Sequence, residues 1–527
     1  MGESLERLRE RIKRSLEVYN PWWSNPEWYK DDQLVQEYMK GDIKVISRLY
    51  YHIRNNITKD KYGIVTIRGP RRCGKTTMIK LVIRDLIENH SKRVKLKRVK
   101  PVKPVNIYYI SLDYGGLKDV RLFEILRVIA SEGDEEKYVF IDEASMYEDW
   151  ALDLKNAVDA GMVSRGKLKI VVTGSHSMDL AKAASHLRGR QGDLAQVFNL
   201  GGNLLYTPLR FPEVVEGVKK EINRVLSSKE FRKPKFRFNL LKELGECKIG
   251  RELEEIYNSC FSILNQLFEN YLVHGGYPKA VKEFYTAGKI SKQLYTDLAE
   301  LLVKDTEKAG LKPNILKQIL SEIVNPSRKR ISGLLDPKGI KPPNLRDEEF
   351  WEYIEYLTST WSIFLSYQER RDASCEPNYE AQRKLYILDP FILHALYSYL
   401  NDIPNPLEKS VELLSNEDYR GLLVESVVAS HLLLAQQLFE HVPHVEYSKV
   451  LMYGKPAEGP EVDFVLCINK GNERYRFLIE SKYRESVAGT IKPHQYRSLI
   501  VLTKDTLDVD EERRIVYIPT PLFLMLF

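Results

Sequence analysis

Gly69-Pro70-Arg71-Arg72-Cys73-Gly74-Lys75-Thr76 is the stretch on which the reading of the fold turns. It has the glycine, lysine and hydroxyl spacing of a phosphate-binding loop, and each residue type has a chemical reason. Glycines let the backbone wrap a β-phosphate with its N–H groups turned inward. Lys75 brings a point charge to the β- and γ-phosphates, and Thr76 offers a hydroxyl ligand to Mg2+. An apolar run at residues 63–67 reads as a strand before the loop, and residues 76–88 read as a helix after it. A helix N-terminus therefore faces the anion. The expected nucleotide contacts are Gly69, Pro70, Arg71, Arg72, Cys73, Gly74, Lys75, Thr76 and Thr77.

A second segment completes the site. Tyr138-Val139-Phe140-Ile141-Asp142-Glu143 is an apolar run ending in two acids. A buried strand has no structural use for paired carboxylates at its end. Asp142 is expected to hold the Mg2+ shell, and Glu143 to orient or deprotonate the attacking water. Residues 105–111 and 169–173 also read as strands, and strands alternating with helices imply a parallel sheet covered on both faces. The strand Ile170-Val171-Val172-Thr173 runs on into Gly174-Ser175. Either Thr173 or Ser175 reads the γ-phosphate there, or the segment is only a turn after a strand. Arg188 and Arg190 are either transition-state arginines, from this subunit or a neighbour, or surface residues.

The chain has 527 residues, too many for one core. We divide it into residues 1–216, an α/β nucleotide-binding region; residues 217–403, helical in pattern with helices at 311–323 and 347–357; and residues 404–527, a second α/β region. The middle region carries a Pro- and Lys-rich stretch at 325–346. The last begins with an amphipathic helix at 420–439, followed by strands at 461–468, 475–480 and 499–502. The net charge of +7 permits nucleic-acid binding without arguing for it, and the basic run at 92–103 reads as a solvated loop. Five scattered cysteines, at 73, 247, 260, 375 and 467, point to a reducing, cytoplasmic chain rather than a disulfide scaffold. The charged start of the chain has no apolar signal core, and there is no apolar run of about 18 residues, so no membrane partner is expected.

The third region holds a further set of acids. Asp463 lies on one expected strand, and Glu480 and Lys482 lie two apart on the next, where alternation puts them on one face. Asp463 and Glu480 are placed to share a metal ion, with Lys482 activating a water or neutralising a phosphate. Glu425 sits among apolar residues on the long helix, and a buried carboxylate needs a cation or a metal. The alternative is a set of structural salt bridges.

These residues also carry a resemblance. The chain resembles an archaeal and bacterial family of AAA-type P-loop ATPases with a C-terminal domain related to PD-(D/E)xK nucleases. The matching segments are Tyr19-Asn20-Pro21-Trp22-Trp23, the loop through Thr77, Val139 to Ala144, Val172 to Ser177, Leu187 to Arg190 and Thr207 to Phe211. Further on they are Tyr271 to Pro278 with Gly275-Gly276, Lys384 to Pro390, and the set Glu425, Asp463, Glu480 and Lys482. The resemblance implies a restriction-endonuclease-like fold at the C-terminal end and a winged-helix-like unit over residues 311–367, from which the Pro- and Lys-rich stretch departs. It implies ATP and Mg2+ as cofactors, DNA as the macromolecular partner, and leaves a homo-oligomer open. The expected function is Mg2+-dependent ATP hydrolysis on or with DNA, with a metal-dependent nuclease-like domain. The alternative is an ATP-driven switch whose C-terminal domain binds DNA or protein without cleaving, as in defence or stress signalling.

Overall fold

The computed structural model describes residues 5–91, 96, 99–112, 117, 119–174, 190, 192–194, 203–219, 222, 231, 233–440, 445–455, 461–484 and 498–527. Ser175 and Arg188 lie outside the described residues, as does part of the basic run at 92–103. The chain divides into two compact units, one of residues 1–206 and one of residues 207–440 and 445–527.

The first unit is built on a parallel sheet of β1 (Gly63–Arg68), β2 (Ile107–Ser111), β3 (Lys137–Asp142), β4 (Leu168–Gly174) and β5 (Asn203–Leu205), in the order β2-β3-β4-β1-β5. Strand alternation explains its two cores. Val65, Ile67, Phe140 and Val171 pack on one face with the helix Lys75–His90. Ile64, Val139, Ile141, Ile170 and Val172 pack on the other with the helices Leu122–Ala130 and Trp150–Asp159. A strand apolar on both faces reads as a continuous run, which is why these strands were legible.

The edge strand β2 explains the tryptophan-rich lead. Asn20 accepts from the Tyr109 N–H at 2.6 Å and donates to the Tyr109 carbonyl at 3.2 Å. The Trp22 and Trp23 indole N–H groups both donate to the Ile107 carbonyl, at 3.0 and 2.9 Å. These side chains occupy backbone groups that an uncovered edge would offer to another chain.

In the second unit, three strands come from the region read as helical: β6 (Ile363–Glu369), β7 (Pro377–Asn378) and β8 (Lys384–Ile387). They join β9 (Leu451–Gly454), β10 (Val462–Lys470), β11 (Glu473–Ser481), β12 (Leu499–Thr503), β13 (Asp508–Asp510) and β14 (Ile515–Pro519) in one nine-stranded sheet. The run Ile363-Phe364-Leu365-Ser366-Tyr367 is rich in strand formers, so the departure has a local cause. The expected helices are present as Pro313–Ile323 and Asp347–Ser359. Part of the Pro- and Lys-rich stretch lies along β8: Ser332 N–H donates to the Leu385 carbonyl at 2.7 Å and Leu335 N–H to that of Arg383 at 2.7 Å.

Two further expectations are corrected. The helix expected at 420–439 is two helices, Glu417–Leu432 and Ala435–Phe439, with neither Gly nor Pro marking the break. From Ser426 to Leu432 the first of them is buried on all sides rather than amphipathic. The cysteines are not all free: Cys375 and Cys467 form a disulfide, 92 positions apart in sequence. Both sulfurs lie in the core beside β10, where tertiary packing rather than spacing brings them together. Among the described residues, no helix is long and apolar enough to cross a membrane.

Candidate functional site

Sheet order creates the site. β4 lies between β1 and β3, so the loop after β1 and the carboxylate ending β3 flank the end of β4. Ligands of such sheets bind beyond the carboxyl ends of the strands. Gly69 leaves β1 where a Cβ would stand 1.9 Å from the Tyr206 carbonyl oxygen, so a side chain is excluded. Arg72 (φ 62°) and Gly74 (φ 102°) carry the left-handed backbone that curls the loop before the helix starts at Lys75. The first-turn N–H groups of Lys75, Thr76 and Thr77 then open toward the loop rather than to carbonyls of their own helix.

The Lys75 ammonium is buried and donates to the Gly69 and Pro70 carbonyls at 2.9 and 2.7 Å. Cys73 is fully buried, its thiol donates to the Pro70 carbonyl at 2.9 Å, and burial pushes its pKa up. It is thus a packing residue of the loop and no nucleophile. Arg71 is half-buried and Arg72 exposed.

Asp142 is the hub. Its carboxylate accepts from the Thr76 hydroxyl at 2.7 Å, the Tyr109 hydroxyl at 2.9 Å, the Thr173 hydroxyl, and the Glu143 N–H at 3.1 Å. Thr173 is fully buried and spends its hydroxyl on Asp142. Glu143 sits just past β3 at φ 50°, ψ 43°, a left-handed conformation in which its half-buried side chain leaves the strand direction. A carboxylate and a hydroxyl 2.7 Å apart form a hard-oxygen pair of the kind Mg2+ takes, so these residues fit that ion. Arg190 is exposed and paired with Asp159 at 2.8 Å.

The second set of expected residues also converges, with additions. Glu425 (13 % exposed), Asp463 and Glu461 all surround the Lys384 ammonium, at 3.5, 3.5 and 2.7 Å. Lys482 pairs with Glu480 at 2.6 Å and with Asp463 at 3.9 Å. Asp463 lies at a register shift of β10 against β9, an irregularity that re-aims a side chain. Its carboxylate accepts from Ser481 N–H at 2.9 Å, and its own N–H donates to Glu480 at 3.2 Å. Tyr386 donates to Glu425 at 3.1 Å.

Burial and the neighbouring Asp463 push Glu425 up to about 8 and raise Glu480 as well. Among the described residues, four carboxylates face two ammonium groups. Glu425, Asp463 and Glu480 do not close on a common point: among the described residues, the only three metal-type ligands mutually within 4.8 Å are Glu369, Cys375 and Cys467. Glu369 there is held bidentately by Arg476, at 2.8 and 2.7 Å. Lys384 and Glu461 were missed as members of the set because one comes from β8 and the other precedes β10. The β6–β8, β6–β9 and β9–β10 pairings bring them together.

A parallel sheet with a phosphate loop after one strand and a hydroxyl-bonded carboxylate ending another defines a P-loop ATPase-type domain. A family model described as AAA domain matches residues 61–215, and one described as Domain of unknown function (DUF8612) matches residues 265–403. The chain therefore carries an AAA-type P-loop ATPase domain. Two solved structures are similar. One is the Walker-type ATPase PABY2304 of Pyrococcus abyssi, at 15% identity, with 67% of this chain and 96% of that chain covered and a TM-score of 0.37. The other is the Aeropyrum pernix ORC1 protein in complex with DNA, at 12% identity, 69% and 92% coverage and a TM-score of 0.24. No curated protein matches the chain.

Proposed function

We propose that this protein binds ATP with Mg2+ at the loop from Gly69 to Thr77 and hydrolyses it, and that it works on or with DNA through a nuclease-like C-terminal region. The observation that carries the ATP reading is the bond between Thr76 and Asp142, 2.7 Å long, beside a buried lysine. Thr76 and Asp142 would hold Mg2+, which when bound would neutralise charge on the β- and γ-phosphates. Lys75 exchanges its loop carbonyls for phosphate oxygens. Thr173 fixes the Asp142 carboxylate, and Glu143 orients the attacking water and takes its proton.

In this reading residues 1–216 are the ATPase domain, 217–403 the helical and winged-helix-like region, and 404–527 the nuclease-like domain. Two helices followed by the antiparallel β6 and β8 support the middle assignment. The grouping of Glu425, Asp463, Glu480 and Lys482 supports the last. The set carries more acid than base, and a divalent cation would offset the difference. A second reading has its own observation. Lys384 already stands among Glu425, Glu461 and Asp463, as the internal cation of a domain that binds without cutting would.

One experiment separates these. Full-length protein is incubated with ATP and with single- and double-stranded DNA, in Mg2+ or Mn2+. Lys75→Ala is expected to weaken nucleotide binding about 10- to 100-fold, the loss of a charge-assisted contact, and to stop ATP turnover. Lys482→Ala is expected to abolish DNA cleavage and spare ATP turnover. Absence of cleavage by the wild type in either metal, with ATP turnover intact, selects the switch.

A further inference from the structure

The second unit holds a cavity of about 490 Å3 between the helix Asp347–Ser359, β6 and the segment around Tyr447. Its walls include Trp351, Trp361, Tyr367 and Tyr447, and its polar groups include Glu355 and Arg383. The Arg383 guanidinium lies 5.0 Å from the centres of both the Trp351 and the Tyr367 rings. Its N–H donors meet no acceptor among the described residues, and Glu355 has no cation within ion-pair distance among them. Trp361 packs edge-on to Tyr447 at 5.7 Å and sits at φ 56°, a backbone conformation a bulky residue rarely adopts. Strain of that kind persists where the surroundings impose it, and it clusters at binding sites.

These features constrain the ligand. The volume lies within the range of small-molecule sites, about 300–1,000 Å3. The aromatic walls ask for a flat π-system. An acid and a guanidinium that line one cavity without pairing ask for a donor edge and an anionic or acceptor end on the same molecule. A bare anion leaves the rings unused, and an acyl chain leaves both charges unpaired. We infer that this cavity binds a nucleobase: the base stacks on the tryptophan and tyrosine rings, its N–H edge meets Glu355, and its phosphate meets Arg383. The inference is independent of the acid and lysine set, none of whose members enters it.

The base has two sources, a free nucleotide or a single strand, and the test has an arm for each. Full-length protein is titrated with 2-aminopurine riboside monophosphate and, separately, with a single-stranded DNA octamer bearing one 2-aminopurine. Stacking quenches the fluorescence of either probe. Trp351→Ala and Arg383→Ala are each expected to raise the Kd about tenfold or more, on the scale of base–aromatic stacking. Val18→Ala, at an exposed position outside both sites, is expected to leave it unchanged. Should Trp351→Ala fold poorly, Arg383→Gln carries the same comparison. Quenching of the octamer alone assigns the cavity to a base within a strand, and quenching of the monophosphate alone to a free nucleotide; both support the inference. No quenching of either probe by the wild type, or equal quenching by the wild type and the Trp351 and Arg383 variants, overturns it.

Discussion

Asp142 shows how one residue can organise a site made from three strands. Its two oxygens collect three hydroxyls, from β2, β4 and the first helical turn, and each donor fixes the carboxylate further. The sequence reveals Asp142 because a carboxylate ending an apolar strand is conspicuous. Tyr109 and Thr173 are not legible as its partners, since each is an ordinary residue of a buried strand. Glu143 differs from Asp142 by its backbone: the left-handed turn takes it off the strand. Glu143→Gln preserves size and hydrogen-bonding reach while removing the base. Nucleotide binding and nucleotide turnover should therefore come apart in that variant. Lys384 is the opposite case. Nothing in its sequence neighbourhood signals an ammonium among three acids, because those acids come from a helix and from the start of β10.

At the scale of elements, two motifs far apart in sequence prove to be one structural device. The turn after the helix Arg251–His274 contains Gly275 at φ 58° and Gly276. Asp389 accepts from the Gly276 N–H at 2.7 Å and caps the helix Pro390–Leu400 by accepting from Phe391 N–H at 2.8 Å. A Cβ on Gly276 would stand 2.0 Å from the Leu209 carbonyl oxygen, which is backbone and cannot give way. Gly276→Ala is therefore expected to destabilise the second unit by about 1–3 kcal/mol, measured as a lower denaturant midpoint. An unchanged midpoint would show that the turn relaxes freely. The glycines and the Asp-Pro pair were visible as separate turn signals, but their contact depends on packing no local pattern encodes. The same holds for the disulfide between Cys375 and Cys467.

Across the whole molecule, pH enters through buried groups. Burial holds His274 and His394 down to about 4 and His431 down to about 3. A histidine whose folded pKa lies below its unfolded value gives stability that is complete above about pH 6.5 and is lost as pH falls through the unfolded value toward the folded one. Asp389, pushed by burial up to about 7, acts in the opposite sense, so the raw pH profile mixes the two. The difference between variants isolates one. His394 bonds the Leu272 carbonyl at 2.9 Å, a contact a glutamine amide can keep. The stability gap between wild type and His394→Gln should shift by roughly 2 kcal/mol in favour of the variant from pH 7 to pH 5. A pH-independent gap would mean that His394 takes up its proton as readily in the folded as in the unfolded state.

Much of the ATPase domain was legible because its strands are apolar on both faces and its loop is contiguous. The second sheet was only partly so, because it gathers strands from two regions that read differently. The central claim, that the loop from Gly69 to Thr77 serves ATP hydrolysis with Glu143 as base, is tested most directly by measuring ATP binding and steady-state Mg2+-dependent turnover in wild type and Glu143→Gln. The account predicts unchanged binding with turnover reduced about 10²- to 10⁴-fold. Turnover at the wild-type rate in Glu143→Gln, or no turnover by the wild type, would contradict it.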